Sequence, residues 1–243
     1  MNIDQTIEQL RSLRLAGMAK RYEAVACLPV YELQDIHELL GSMVHAEVEY
    51  REHGRTQKYL KASRLRYNAL PEEILCNPER GITREMILRL SDGTFIQRGE
   101  NVLITGSTGS GKSFLACALG RSAFLLGYRT LYFGMNRFMD TVVQTRLDGT
   151  YLKWIKGIAN QKLLILDDFG LKSIDADTRL ALLDILEDRY GNSSVIITSQ
   201  LPVEAWYNFI DEPTLADAIM DRLTASSHRL PLQGKSLRKK KNN

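Results

Sequence analysis

The spacing of apolar positions changes near residue 82. Before that point they recur at helical intervals. Ile3, Ile7, Leu10, Leu13 and Leu15 follow one another at near-helical spacing up to Gly17. From about 31 to 67 a second stretch sets Leu33, Ile36, Leu39, Leu40, Met43, Val44 and Val48 on one broad face. Residues 1–67 therefore read as a small helical domain. Residues 68–81, with Pro71, Pro78 and Gly81, read as a linker.

After residue 82 short apolar runs alternate with longer amphipathic stretches. Strands are predicted at 102–105, 130–133, 163–167, 194–199 and 229–232, and helices between them at about 112–127, 136–147, 177–190 and 214–226. Such alternation predicts a parallel five-stranded sheet with helices on both faces, an α/β sandwich occupying residues 82–243.

Composition leaves this picture standing. The chain has 243 residues, 44% hydrophobic and 25% charged, as in ordinary globular proteins. No apolar run reaches the length of a membrane span, and the first residues lack the basic and apolar segments of a signal peptide. Cys27, Cys76 and Cys117 are far apart and in no metal-ligand spacing, which fits reduced structural thiols. A cytoplasmic protein with no membrane partner is expected.

Charge adds an asymmetry. The formal net charge is +3, yet the tail from about 228 carries Arg229, Lys235, Arg238, Lys239, Lys240 and Lys241 without an acid, so the remainder is net acidic. A second basic block comprises Arg51, Arg55, Lys58, Lys61, Arg64 and Arg66, opposed only by Glu52 and interleaved with Tyr59. Both blocks suit phosphate contacts with nucleic acid; a solvated helix face and a free tail are the alternative.

The candidate chemistry begins after the first strand of the sandwich. Gly106-Ser107-Thr108-Gly109-Ser110-Gly111-Lys112-Ser113 fits G-x-x-x-x-G-K-[ST] without a mismatch. Glycines let the backbone approach phosphates closely, and the turn aims N–H groups at them from the start of the next helix. Lys112 is expected on the β/γ-phosphates and the Ser113 hydroxyl on Mg²⁺. The apolar run ending in Asp167-Asp168 places acids at the carboxyl end of a strand, where ligands sit in open α/β sheets. Asp167 is expected to hold the metal, and Asp168 to orient or deprotonate the attacking water. The strand ending in Thr198-Ser199-Gln200 should bring a polar group to the γ-phosphate or that water; Gln200 is favoured for reach, Ser199 is next, and turn chemistry is the alternative.

These motifs, together with Ala-Asp-Ala-Ile-Met-Asp-Arg-Leu at 216–223 and Gly-Lys-Ser-Leu-Arg at 234–238, resemble the IstB-like ATPases, AAA+ helper proteins of bacterial insertion sequences related to DnaC-type helicase loaders. The resemblance covers nearly the whole chain and implies an AAA+ core that binds ATP with Mg²⁺ and hydrolyses it. It also implies ATP-dependent homo-oligomers on double-stranded DNA, largely independent of sequence, acting with a cognate transposase. Arg222 matches the arginine that reaches a neighbour's γ-phosphate, with Arg189 as second choice; a surface arginine paired with Asp217 or Asp221 is the alternative. Both basic blocks become DNA contacts in this light, and residues 1–50 become the site of transposase contact or self-assembly. Asp168 stands where many AAA+ proteins carry Glu, which implies slow or partner-driven hydrolysis. With so few residues after the last predicted strand, no C-terminal helical lid is expected. Closure over the nucleotide then falls to neighbouring subunits or to the tail, with Arg238 as a candidate. A helicase loader is the second functional reading, and a metabolic P-loop kinase the third.

Overall fold

The computed structural model describes residues 2–28 and 35–237. The chain packs as two compact units, Met1–Lys58 and Tyr59–Asn243.

The first unit is helical. It contains α1 (Ile3–Ser12), α2 (Ala16–Ala26) and most of α3 (Ile36–Ser63). The contact between α2 and α3 is set by Gly17: a Cβ there would lie 2.4 Å from the Ala46 carbonyl oxygen and 2.6 Å from Glu47 Cα. That close approach centres the buried side of α3 on Met43 and Glu47. Ile36, Leu40, Val44 and Val48 consequently remain exposed, so the single broad apolar face expected for this stretch is divided. Leu33 lies outside the described residues. Glu47 is buried but satisfied: Oε2 accepts from the Gly17 N–H at 2.7 Å and the Met18 N–H at 3.2 Å, and Oε1 accepts from Arg51 Nε at 2.6 Å. Its carboxylate thus satisfies free N–H groups at the start of α2, where a helix has none of its own acceptors.

The second unit is an α/β sandwich. Its sheet has strands β1 (Asn101–Gly106), β2 (Thr130–Gly134), β3 (Leu163–Phe169), β4 (Ser194–Ser199) and β5 (Ser227–Leu232). They run parallel in the order β2-β3-β4-β1-β5. The interior strands are apolar without interruption because both faces are covered. Alternate residues serve opposite layers, as the two-residue strand period demands. Val102, Ile104, Ile165 and Ile196 pack against α4 (Arg84–Ser91), α5 (Thr94–Gln97) and α6 (Lys112–Leu125), whereas Leu103, Leu164, Leu166, Val195 and Ile197 join the opposite core. That core is completed by α7 (Met135–Leu147), α8 (Tyr151–Ala159), α9 (Ala176–Arg189), α10 (Trp206–Ile210) and α11 (Pro213–Thr224).

Leu65, Tyr67, Ala69 and Ile74 pack on the α6 side of the sheet, within the second unit. Cys117 is buried there, and burial pushes its thiol up to about 11; Cys27 and Cys76 are exposed. Among the described residues, no helix is long and apolar enough to cross a membrane.

Candidate functional site

The loop of residues 106–113 joins the C-terminal end of β1 to the start of α6. Gly106, Gly109 and Gly111 have φ of 147°, 81° and 98°, values that side chains disfavour, which explains the glycine pattern locally. Lys112 is buried, and its ammonium donates to the Gly106 and Ser107 carbonyls at 2.8 and 3.0 Å. The loop is also tied from outside. Arg80 Nη2 donates to the Ser110 carbonyl at 2.8 Å, and the Leu237 N–H donates to the Gly109 carbonyl at 2.9 Å.

Asp167 is fully buried at the carboxyl end of β3, where four groups converge on it. Oδ1 accepts from Ser113 Oγ at 2.7 Å and from the Thr198 hydroxyl. Oδ2 accepts from the Tyr132 hydroxyl at 2.5 Å and lies 3.4 Å from Arg66 Nη1. Burial, and then the bond to Asp167, push the Tyr132 phenol upward, so it remains a neutral donor. Burial opposes the charge on Arg66, but Tyr67, Tyr132 and Asp167 outweigh it and the net shift is upward.

Asp168 turns away from its neighbour. Its φ is 64°, and the pairing of β3 with β4 shifts register between Leu166 and Phe169. A left-handed non-glycine residue is costly and persists where its surroundings hold it; here Thr198 Oγ1 accepts from the Asp168 N–H at 3.0 Å. The bulge sends successive acids to different places. Asp167 meets Ser113, and Asp168 lines a cavity of about 650 Å³. The cavity is bounded by residues 108–113, Asp168 and Gln200 on its polar side, and by Tyr67, Ile74, Ile82 and Phe114 on an apolar side. Its volume and mixed lining suit a small organic ligand.

The structure sorts the remaining candidates. Thr108 Oγ1 donates to Gln200 Oε1 at 2.7 Å, which places Gln200 on the loop. Ser199 is fully buried, donating to the Phe169 carbonyl at 2.6 Å and accepting from the Leu201 N–H at 3.0 Å, so the second choice for the γ-phosphate is a turn residue. Arg189 is likewise a correction. It is 2% exposed and donates to the carbonyls of Ile158, Gln161 and Ser194 at 3.3, 2.9 and 2.7 Å, closing the end of α8, so it cannot reach a neighbouring subunit. Arg222 lies outside the cavity at the end of α11, 29% exposed and paired with Glu187 at 2.7 Å and Asp221 at 3.4 Å.

Of the first basic block, Arg55, Lys58, Lys61 and Arg64 are exposed. Arg51 is committed to Glu47, and Arg66 belongs to the acidic end of β3, not to a free basic face. Lys235 is exposed; Arg238, Lys239, Lys240 and Lys241 lie outside the described residues. Arg80, Tyr132 and Leu237 belong to none of the candidate sets read from the sequence, and Arg66 reads there only as a DNA contact. Only Tyr132 carried a signal, a polar tip on a buried strand beside the one that ends in Asp167.

Hard oxygen donors from Ser113 and Asp167 stand 2.7 Å apart beneath a loop that opens its backbone with glycines. That donor set suits Mg²⁺, which takes few protein ligands and completes its shell with phosphate oxygens and water. Among the described residues, no cluster of three His, Cys, Asp or Glu offers an all-protein metal cage.

The chain matches the profile of the IstB-like ATP binding proteins over residues 8–243. It belongs to that family. An insertion sequence ATP-binding protein of Sinorhizobium fredii is 40% identical over 234 residues, covering 96% of each chain. The ATP-binding protein of insertion sequence IS1162 from Pseudomonas fluorescens is 35% identical over 203 residues, covering 83% of this chain and 88% of that one. Among solved structures, the DnaC helicase loader superposes with a TM-score of 0.58 at 20% identity, over 69% of this chain and 98% of that one. DnaA from Aquifex aeolicus, bound to AMPPCP, gives 0.60 at 20% identity over 72% and 53%. These two likenesses show a shared fold, and the family and the relatives it matches are described as ATP-binding.

Proposed function

We propose that this IstB-like chain is an ATPase that assembles on DNA with ATP and assists the transposase of its insertion sequence. The reading is carried by the convergence of Lys112, Ser113 and Asp168 at one cavity, with Asp167 bonded to Ser113, in a chain whose relatives are insertion sequence ATP-binding proteins.

Residues 106–113 take the triphosphate through backbone N–H groups, with Lys112 transferring its ammonium from loop carbonyls to phosphate oxygens. The apolar wall of Tyr67, Ile74, Ile82 and Phe114 takes the base. Ser113 and Asp167 would hold Mg²⁺, which would offset phosphate charge. Tyr132 and Thr198 fix the Asp167 carboxylate in place. Asp168 orients the attacking water and accepts its proton; Gln200, held by Thr108, positions that water against the terminal phosphate. Arg222 exchanges its Glu187 and Asp221 partners for the phosphate of an adjacent subunit, where a guanidinium stabilises developing charge.

Arg55, Lys58 and Lys61 stand on one side of α3 and, with Arg64, Lys235 and the tail at 238–241, suit contacts to the DNA backbone without base readout. Residues 1–50 are then the candidate for transposase contact or self-assembly. The deciding experiment is binding to random-sequence duplex with ATP, ADP or no nucleotide, comparing wild type with Lys112→Ala. Salt-sensitive binding that needs ATP and is lost in the variant is expected. Nucleotide binding without duplex affinity would overturn the assignment in favour of a helicase loader.

A further inference from the structure

Arg66 faces the two carboxylates at the end of β3. Its Nη1 lies 3.4 Å from Asp167 Oδ2 and 3.3 Å from Asp168 Oδ2, so one guanidinium bridges both acids. The Arg66 side chain is 45% exposed, and Asp168 is 34% exposed, while Asp167 is closed off from solvent. The carrier is an irregular segment beyond the end of α3, reached through Arg64 at a φ of 57°. The guanidinium rests 5.4 Å from the centre of the Tyr67 ring. It can therefore move without unwinding a helix or strand.

Electrostatics make this contact conditional. Adjacent carboxylates repel each other and any incoming triphosphate. The guanidinium relieves both, and it does so at Asp167, the carboxylate that with Ser113 suits a divalent cation. Two cations competing for one carboxylate weaken each other, and a terminal phosphate offers the displaced one a new anion.

We propose that Arg66 is a metal-responsive counter-ion. It neutralises Asp167 and Asp168 in the nucleotide-free chain, and yields to a divalent cation when a nucleoside triphosphate arrives, becoming a ligand of the terminal phosphate. The inference rests on the metal role of Ser113 and Asp167.

The test uses the full chain with Arg66→Ala and Arg66→Lys. Mn²⁺ alone is titrated onto nucleotide-free protein by electron paramagnetic resonance, and a non-hydrolysable ATP analogue and ADP are titrated with and without Mg²⁺. Arg66→Ala should bind Mn²⁺ about tenfold tighter, because its competitor is gone, and should lose about tenfold in preference for the ATP analogue over ADP. Arg66→Lys, which keeps the charge but has a shorter arm and lacks the planar fork, should fall between. Unchanged Mn²⁺ affinity and unchanged preference in both variants, beside a wild type whose nucleotide binding needs Mg²⁺, would overturn the proposal alone. A wild type indifferent to Mg²⁺ would overturn the metal reading beneath it, and the proposal with it.

Discussion

The Ser113 hydroxyl donates to Asp167 Oδ1 across 2.7 Å, joining the first turn of α6 to the end of β3. This contact distinguishes two ways of disabling Asp167. Asp167→Asn keeps the shape and one acceptor oxygen but removes the charge that suits a metal. Hydrolysis should fall on the order of a hundredfold, with a smaller loss of stability than in the alanine variant. Asp167→Ala strands Ser113, Thr198, Tyr132 and Arg66 at once and should also destabilise the fold by about 2–4 kcal/mol. Paired thermal melts and phosphate-release assays separate these outcomes.

Lys112 holds the loop from within before any ligand is considered. Lys112→Ala should weaken ATP binding by on the order of tenfold or more by calorimetry. It should also raise amide exchange at residues 106–111, because two loop carbonyls lose their donor.

The two arginines weighed for action in trans should behave oppositely. Arg189→Ala leaves three carbonyls, two of them in buried bonds, without this donor and should cost about 3 kcal/mol in denaturant titrations. Arg222→Ala removes a partly exposed ion pair and should leave the melting temperature within a few degrees. Its expected effect is slower hydrolysis in the assembled protein at unchanged ATP affinity. Equal hydrolysis by wild type and Arg222→Ala across protein concentrations would remove the trans assignment.

Glu47 makes the first unit acid-sensitive. Burial alone would raise its pKa, but Arg51 and the Met18 and Gly17 N–H groups outweigh burial and hold it below its ordinary 4.5. A group depressed on folding stabilises above its unfolded pKa, and that contribution is lost as pH falls through the folded value. Amide exchange across α2 should therefore rise in acid, beginning below about pH 4.5. Glu47→Gln should show the faster exchange already at neutral pH and lose that acid dependence.

What the sequence made legible is what depends on neighbours in the chain. Residues 101–125 read as strand, loop and helix because apolar run, glycines and helix formers are contiguous. The interior strands read as continuous apolar runs because both faces are covered. The helix α8 lay outside the expected elements although Tyr151, Trp154, Ile155 and Ile158 follow the i, i+3, i+4, i+7 spacing. Arg66 and Arg189 had no such pattern: each is defined by partners from distant segments, so charge clustering marked one as a DNA contact and the family resemblance marked the other as a trans-acting cation. The divided face of α3 was hidden for a related reason. A buried Glu47 fits no apolar periodicity, and only the approach of Gly17 accounts for it.

The phosphate-loop pattern leaves the position of Gly109 free, yet here it is doubly constrained. Its φ is 81°, and a Cβ would fall 2.0 Å from Ser236 Oγ, in the segment whose Leu237 grips the loop. Positions 109 and 236 should therefore change together over evolutionary time. Relatives with a bulkier residue in the loop should carry a smaller or displaced one near the end of the chain, leaving a trace of this contact in their sequences.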